Sequence, residues 1–193
     1  MTAACLLAGL VLAGCSRQTQ FTYEGSRLES MARDLQENAQ ADSFAKNLCV
    51  VTGEEGEEDA SVTAEAAAAF GIDSKQVIFQ KKPFERLYPA SITKIMTALI
   101  AIRDGDLTDS VTVGPETVIT ETGASLAHIN PGDTLTMEQL LYGLMLPSGN
   151  DAGAAIAVHM AGSTEAFAEK MNETAHALGA TDTHFVNPHG LNN

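Results

Sequence analysis

Tryptophan is absent from this chain of 193 residues, and aromatic residues make up only 5% of it, whereas hydrophobic residues make up 45%. The core must therefore be built mainly from aliphatic side chains and alanine. This length and hydrophobic fraction favour one domain with a real core. Basic residues are also scarce: 11 Lys and Arg stand against 25 Asp and Glu, for a formal net charge of −14. Because phosphate binding needs clustered Lys and Arg, this balance argues against a nucleic-acid partner.

Cysteine is rare as well, with three residues, at positions 5, 15 and 49. Three cysteines do not make a disulfide framework, and Cys49 lies in an apolar run where a buried thiol is favoured over a catalytic one. No pair of His or Cys residues has the spacing of a structural zinc site. The acidic run at 54–59 lacks the spacing of a calcium loop and is interpreted as a solvated loop.

Long hydrophobic runs are missing too, and the apolar stretch at residues 3–14 is too short to span a bilayer as a helix. It is typical of a signal peptide, predicted here over residues 1–14. The string Leu12-Ala13-Gly14-Cys15 resembles a bacterial lipoprotein box, which makes Cys15 the predicted lipidation site and 15–45 a lipidated tether. Residues 1–14 contain no Lys or Arg, although signal peptides normally begin with positive charge, so an upstream start stays open.

The rest of the chain mixes strand-like and helix-like segments. Residues 66–72 and 77–81 flank a polar four-residue connection and predict a β-hairpin. Short strand-like runs lie between 111 and 135. Four helices are predicted. Two span about 91–103 and about 151–160. The other two begin after a capping box at Thr136 and Gln139 and after a cap at Ser163. The helix at 91–103 is apolar nearly all round, which predicts that it is buried on every face.

A serine and a lysine stand at the start of that apolar helix, in the string Tyr88-Pro89-Ala90-Ser91-Ile92-Thr93-Lys94. Residues three apart share a helix face, so Lys94 is expected beside Ser91. Serine needs a base to become a nucleophile, and burial lowers the pKa of a lysine so that its free amine becomes accessible. Alternatively, Ser91 only caps the helix and Lys94 extends into solvent. The spacing alone is a weak signal, because it recurs in Ser43-Phe44-Ala45-Lys46, in polar sequence.

A second polar string, Pro147-Ser148-Gly149-Asn150, interrupts two apolar helices. Such a break places a hydroxyl and an amide at the edge of a cleft. Ser148 is suited to relay a proton between the lysine and a leaving group, and Asn150 to hold a substrate amide and to fix Lys94. The alternative is that Ser148 or Asn150 only caps the helix that begins at Asp151.

Three strings, in this order, resemble the serine-type D-alanyl-D-alanine carboxypeptidases, which are low-molecular-mass penicillin-binding proteins. They are Pro-Ala-Ser-Ile-Thr-Lys-Ile-Met-Thr-Ala-Leu from residue 89, Leu-Tyr-Gly-Leu-Met-Leu-Pro-Ser-Gly-Asn-Asp-Ala from residue 141, and His-Phe-Val-Asn-Pro-His-Gly-Leu from residue 184. The likeness runs from about residue 66 to residue 191.

The resemblance implies an α/β fold of the α+β type, in which an antiparallel sheet packs with helices and a second, helical lobe, as in penicillin-binding proteins and serine β-lactamases. By position in the strings, Ser91 is the acylated nucleophile, Lys94 its general base, Ser148 the proton shuttle and Asn150 the substrate-binding amide. The implied reaction removes the terminal D-alanine from peptidoglycan stem peptides through an acyl-serine. β-Lactams are implied as covalent inhibitors, with no metal or organic cofactor. Lipid on Cys15 implies anchoring to the outer face of the bacterial cytoplasmic membrane.

One departure from the family pattern concerns its third motif, Lys-Thr-Gly or Lys-Ser-Gly on a strand beside the nucleophile. No lysine in this sequence is followed by Thr-Gly or Ser-Gly. Residues 46–193 are therefore interpreted as an incomplete catalytic domain whose last strands are missing, so that this chain alone is expected to be inactive. Loss of one oxyanion donor alone costs roughly 10²–10³ in rate.

Other functions stay open at this point. A serine β-lactamase shares the serine–lysine pair, but no Glu-x-x-Leu-Asn string follows Asn150. A non-catalytic wall-binding lipoprotein fits the missing third motif, and a D,D-endopeptidase shares the motifs that are present. A Ser-His-Asp hydrolase is disfavoured because there is no Gly-x-Ser-x-Gly elbow. All five histidines are expected to have structural or surface roles.

Overall fold

The computed structural model describes residues 61–71, 73–74 and 77–191. The predicted signal peptide, Cys15, the tether and Cys49 lie outside these described residues. None of the helices in the described part of the chain has the length and apolar character needed to cross a membrane.

The strands in the described part of the chain form two separate antiparallel pairs. Strand β1 (Ala67–Phe70) pairs with β2 (Val77–Lys81), as the sequence predicts for a hairpin. Strand β3 (Ser110–Thr112) pairs with β4 (Thr134–Thr136), and the 3₁₀ turn Pro115–Thr117 lies between them in the chain. The mixture of small antiparallel sheets and helices confirms the predicted α+β class.

The described chain contains four α-helices: α1 (Thr93–Asp104), α2 (Met137–Met145), α3 (Asn150–Ala161) and α4 (Thr164–Ala177). The predicted capping box is confirmed before α2, because the Thr136 hydroxyl accepts the Gln139 N–H and the Gln139 side chain accepts the Thr136 N–H. The predicted cap before α4 is also present, since the Ser163 hydroxyl accepts the Ala166 N–H at 3.0 Å. Sequence signals at helix N-termini were thus sufficient to locate both starts.

Helix α3 occupies the centre of the packing and contacts α1, α2 and α4. Residues 150–157 are all buried, and most of them are Ala or Gly. Small side chains allow the neighbouring helices to approach closely: a Cβ added at Gly153 would lie 3.2 Å from Leu144 Cδ1. The largest side chains packed around α3 are fully buried: Phe167, Ile100, Met137, Leu140, Leu144 and Met171. This core fixes the N-termini of α1 and α3 relative to each other.

The prediction that α1 is buried on every face is wrong. Ile95 is 60% exposed and Ile92, just before the helix, is 67% exposed, although Ile100 and Ala101 are completely buried. Among the described residues, the elements that contact α1 lie on its other side. An apolar sequence shows that a helix is able to be covered all round, but it does not show which neighbours cover it.

Candidate functional site

Ser91 lies in a 3₁₀ turn, Ala90–Ile92, that leads directly into α1. Pro89 precedes the turn, where its fixed φ angle suits a helix start. The Ser91 residue is exposed, and Lys94 is in the first turn of α1 with its Nζ 3.2 Å from Ser91 Oγ. The predicted juxtaposition of the two side chains is therefore confirmed.

Lys94 is almost completely buried, with 3% of its surface exposed. Burial penalises the charged ammonium and so lowers the pKa of Lys94 below its usual value. Its Nζ also donates a hydrogen bond to the backbone carbonyl of His189 at 3.0 Å. The alternative in which Lys94 extends into solvent is thus wrong, and the amine is held against the serine hydroxyl.

The carbonyl that receives Lys94 belongs to a tight turn at residues 187–191. The Asn187 side-chain oxygen accepts the N–H groups of His189 at 3.2 Å and Gly190 at 2.7 Å, while its Nδ2 donates to the Leu191 carbonyl at 2.8 Å. One amide side chain therefore satisfies three backbone groups of the turn.

The same turn is fixed to α1 by two further features. Thr97, one turn after Thr93 and completely buried, donates its hydroxyl to the Pro188 carbonyl at 2.6 Å. Gly190 has a φ angle of +80°, and a Cβ added there would lie 1.9 Å from the Ala90 carbonyl oxygen. Only glycine fits at this close approach between the turn and the residue before Ser91.

Ser148 reaches the same hydroxyl from the other side. Its Oγ donates to Ser91 Oγ at 3.1 Å, across 57 residues of sequence. Ser148 has a left-handed backbone with φ +59°, which is uncommon outside glycine and is found where neighbouring structure imposes it. Ser91 Oγ therefore lies between one amine and one hydroxyl.

Asn150 is the first residue of α3 and is 2% exposed. Its backbone N–H donates to the Ser125 carbonyl at 2.8 Å, and its buried Oδ1 accepts no hydrogen bond from any residue that the structure describes. The N-cap of α3 is Gly149, with no side-chain capping hydrogen bond. The alternative in which Ser148 or Asn150 only caps the helix is thus wrong.

The histidines divide into two groups. His128, His159, His176 and His184 are exposed, whereas His189 is 7% exposed. Burial, and then the charge of Lys94, lower the pKa of His189 to about 4, against an opposing effect of Glu121. The sequence predicted a structural or surface role for His189, but it did not predict that the backbone carbonyl of this residue accepts the Lys94 hydrogen bond. The third string of the sequence, which begins at His184, is the signal that points to this turn.

A serine hydroxyl between a buried lysine and a second hydroxyl is suited to acyl transfer. The lysine is able to remove the serine proton, and the second hydroxyl offers a path for that proton. Within the described residues, no group of three or more His, Cys, Asp or Glu side chains is placed to hold a metal ion. The arrangement is thus suited to serine acyl-transfer chemistry.

Family comparisons agree with this class of site. Residues 53–193 match the family model described as D-alanyl-D-alanine carboxypeptidase, so the chain belongs to this family of serine peptidases. It is 38% identical over 143 residues to D-alanyl-D-alanine carboxypeptidase DacF of Bacillus subtilis, covering 72% of this chain and 37% of that protein. It is 39% identical to DacC of Escherichia coli, covering 68% and 35%. The chain thus spans little more than a third of these curated relatives.

Solved structures show the same fold. A D-alanyl-D-alanine carboxypeptidase from Mycobacterium tuberculosis superposes with a TM-score of 0.62 and 35% identity, covering 67% of this chain and 48% of that one. A mutant of the Streptomyces K15 DD-transpeptidase gives a TM-score of 0.63 with 34% identity, covering 67% and 54%. Penicillin-binding protein 6B of Escherichia coli is also similar, with a TM-score of 0.57 and 35% identity, covering 61% and 40%. The predicted penicillin-binding-protein fold is confirmed.

Proposed function

We propose that the protein containing this chain removes the terminal D-alanine from peptidoglycan stem peptides by way of an acyl-enzyme on Ser91. The observation that carries this proposal is the placement of Ser91 Oγ, 3.2 Å from the buried Lys94 amine and 3.1 Å from Ser148 Oγ. Membership of the D-alanyl-D-alanine carboxypeptidase family supplies the substrate class.

In the proposed acylation step, neutral Lys94 takes the proton from Ser91 Oγ as this oxygen attacks the carbonyl carbon of the penultimate D-alanine. The tetrahedral intermediate then collapses, the peptide bond breaks, and the amine of the terminal D-alanine leaves with a proton delivered through Ser148. Water hydrolyses the resulting ester and regenerates Ser91. A β-lactam acylates the same oxygen by opening its ring amide.

Asn150 is proposed to bind the substrate. Its Oδ1 is buried at the start of α3 and accepts no hydrogen bond from the described residues. A buried acceptor without a partner is costly, so a donor supplied by a bound peptide or by a moved Lys94 amine offsets that cost. This property supports a role for the amide in holding the stem peptide next to Ser91.

The location of the protein is the part of the proposal that rests on sequence alone. The Leu12–Cys15 string supports a signal peptide and lipid on Cys15, which would hold the catalytic domain at the outer face of the bacterial cytoplasmic membrane. Peptidoglycan stem peptides lie on that side, so this anchoring suits the proposed substrate.

The proposal is tested by expressing the full reading frame, read past the codon for Asn193, and by labelling it with a fluorescent penicillin. We expect covalent labelling of the wild type and release of D-alanine from a peptide ending in D-Ala-D-Ala. Ser91→Ala should abolish both, because it removes the attacking oxygen. Ser43→Ala is the matched control, since Ser43 belongs to the other Ser-x-x-Lys string and should leave both activities unchanged.

The same assay separates the competing functions. Rapid release of opened penicillin with little D-alanine release would indicate a β-lactamase. Absence of any labelling of the folded full-length protein would leave the non-catalytic wall-binding lipoprotein as the better interpretation. Cleavage of cross-linked peptides in preference to linear ones would indicate a D,D-endopeptidase.

A further inference from the structure

Asp151 directly follows the Ser148-Gly149-Asn150 string and is buried, with only 1% of its surface exposed. Its Oδ1 accepts the N–H groups of Ala127 and Ala152, both at 2.9 Å, and its Oδ2 accepts the N–H of Ile129 at 3.0 Å. Two of the three donors belong to a segment at residues 125–129, which we call the clamp loop. A single buried carboxylate therefore ties this loop to the start of α3.

The clamp loop in turn contacts the string that carries Ser148 and Asn150. The Ser125 carbonyl accepts the Asn150 N–H at 2.8 Å. Gly149 fits between the loop and α2 without space for a side chain: an added Cβ would lie 2.9 Å from Ala127 Cβ and 2.6 Å from the Gly143 carbonyl oxygen. The string is thus enclosed between the clamp loop on one side and α2 on the other.

Ser148 needs such enclosure because its backbone is left-handed, with φ +59°. A non-glycine residue keeps this disfavoured conformation only when the surrounding structure imposes it. This backbone conformation places the Ser148 hydroxyl 3.1 Å from Ser91 Oγ, so a relaxed φ angle would move the hydroxyl away. The position of the clamp loop is therefore coupled to the geometry around Ser91.

We infer that Asp151 is a positioning residue for the acylation step. Its carboxylate fixes the clamp loop against residues 148–150 and thereby holds the Ser148 hydroxyl on Ser91. The inference rests on the proposed function. A carboxylate is suited to this task because its two oxygens accept hydrogen bonds, and the three described groups that bond to it are all N–H donors. An asparagine of the same shape would direct its own NH₂ at one of those donors.

The test is Asp151→Asn in the full-length protein, with acylation by a chromogenic β-lactam followed by stopped flow. We expect the acylation rate constant to fall roughly 10- to 100-fold, the scale of effect of a small misplacement, with a much smaller change in the dissociation constant of the noncovalent complex. Asp106→Asn is the matched control, because the exposed Asp106 carboxylate also accepts a backbone N–H, from Thr108 at 2.8 Å. The acylation rate constant of this variant should equal that of the wild type.

A double-mutant cycle with Ser148→Ala separates positioning from general loss of structure. If Asp151 acts through Ser148, the Asp151→Asn change should slow acylation much less in the Ser148→Ala background than in the wild type. An equal loss in both backgrounds would overturn the inference, as would a folded Asp151→Asn protein with the wild-type rate constant. A wild type that is not acylated at all would instead overturn the proposed function.

Amide hydrogen exchange of the wild-type protein tests the hydrogen bonds between the clamp loop and Asp151 without any variant. The amides of Ala127 and Ile129 are in a loop, yet their bonds to a buried carboxylate should make them exchange as slowly as the Asn150 amide. Exchange of these two amides at the rate of exposed loop amides would overturn the inference even if the Asp151→Asn protein failed to fold.

Discussion

At the scale of single residues, the site consists of a few close contacts to the Ser91 hydroxyl oxygen and the Lys94 amine. Ser91 Oγ has Lys94 and Ser148 within 3.2 Å, and the Lys94 amine has the His189 carbonyl at 3.0 Å. The three side chains were predicted from the two short strings alone, because helical spacing and a polar break between apolar helices have direct structural meaning. The carbonyl was not predicted, since every residue has one and only the folded turn selects which one points at the lysine.

Gly190 provides a residue-scale prediction. Gly190→Ala should lower stability and also slow acylation by a β-lactam, because its φ angle is +80° and its new Cβ would collide with the Ala90 carbonyl oxygen at 1.9 Å. Moving the turn away would draw the His189 carbonyl from Lys94. The measurements are the midpoint of thermal unfolding and the acylation rate constant of the full-length protein.

Gly179→Ala is the matched control for this change. Gly179 also has a left-handed backbone, with φ +89°, but no atom of the described residues lies within 4 Å of an added Cβ. Both variants should lose about 1 kcal/mol of stability to backbone strain, whereas only Gly190→Ala should acylate slowly. Equal acylation rates in the two folded variants would contradict the proposed role of the close approach.

At the scale of elements, boundaries were predicted well where a cap or a turn has its own chemistry. The hairpin, the Thr136 capping box and the Ser163 cap are examples. The prediction for α1 was wrong in one respect: Ile95 is exposed, because coverage of a helix depends on neighbours from distant sequence. The capping interpretation of Ser148 was also open until the structure showed Gly149 at the N-cap of α3.

The capping box of α2 gives an element-scale prediction that separates folding from chemistry. Thr136→Ala should destabilise the protein by about 1 kcal/mol, because it removes the acceptor for the Gln139 N–H at 3.2 Å. Thr136 caps the end of α2 that is opposite to the end leading into Ser148, so the acylation rate constant of the folded variant should stay unchanged. Chemical denaturation and penicillin labelling measure the two quantities, and a Thr136→Ser variant should restore the stability. A folded Thr136→Ala protein that acylates slowly would show that α2 controls the site more directly.

At the scale of the whole molecule, the site depends on contacts between segments that are far apart in sequence. The start of α1, the break before α3 and the turn at 187–191 meet around Ser91 because α3 packs at the centre of the helices. The third string served in the sequence analysis only as part of the family resemblance, and neither that resemblance nor composition and spacing assigned it to the site. The clamp loop was not predicted, because it contacts Asp151 through backbone N–H groups, which every residue except proline has.

The burial of His189 makes a prediction about the stability of the whole fold against pH. Its pKa is about 4 in the folded protein and 6.5 as the ordinary value, because burial and the neighbouring Lys94 disfavour the imidazolium. Between these values the unfolded chain binds a proton that the folded protein does not. The free energy of unfolding should therefore fall as the pH decreases from 6.5 to about 4, by up to about 3 kcal/mol from this one group.

His189→Asn isolates that contribution, because an amide oxygen is able to replace Nδ1 as the acceptor of the Leu191 N–H and carries no charge at any pH. The measurement is urea denaturation at pH 7 and at pH 4.5, and the loss of stability between them should be smaller in His189→Asn than in the wild type. His176→Asn, at an exposed histidine of α4, should show the wild-type loss. If His189→Asn loses as much stability as the wild type, then His189 takes up its proton in the folded protein as readily as in the unfolded chain. The buried turn against Lys94 would then be more open to water than its contacts indicate.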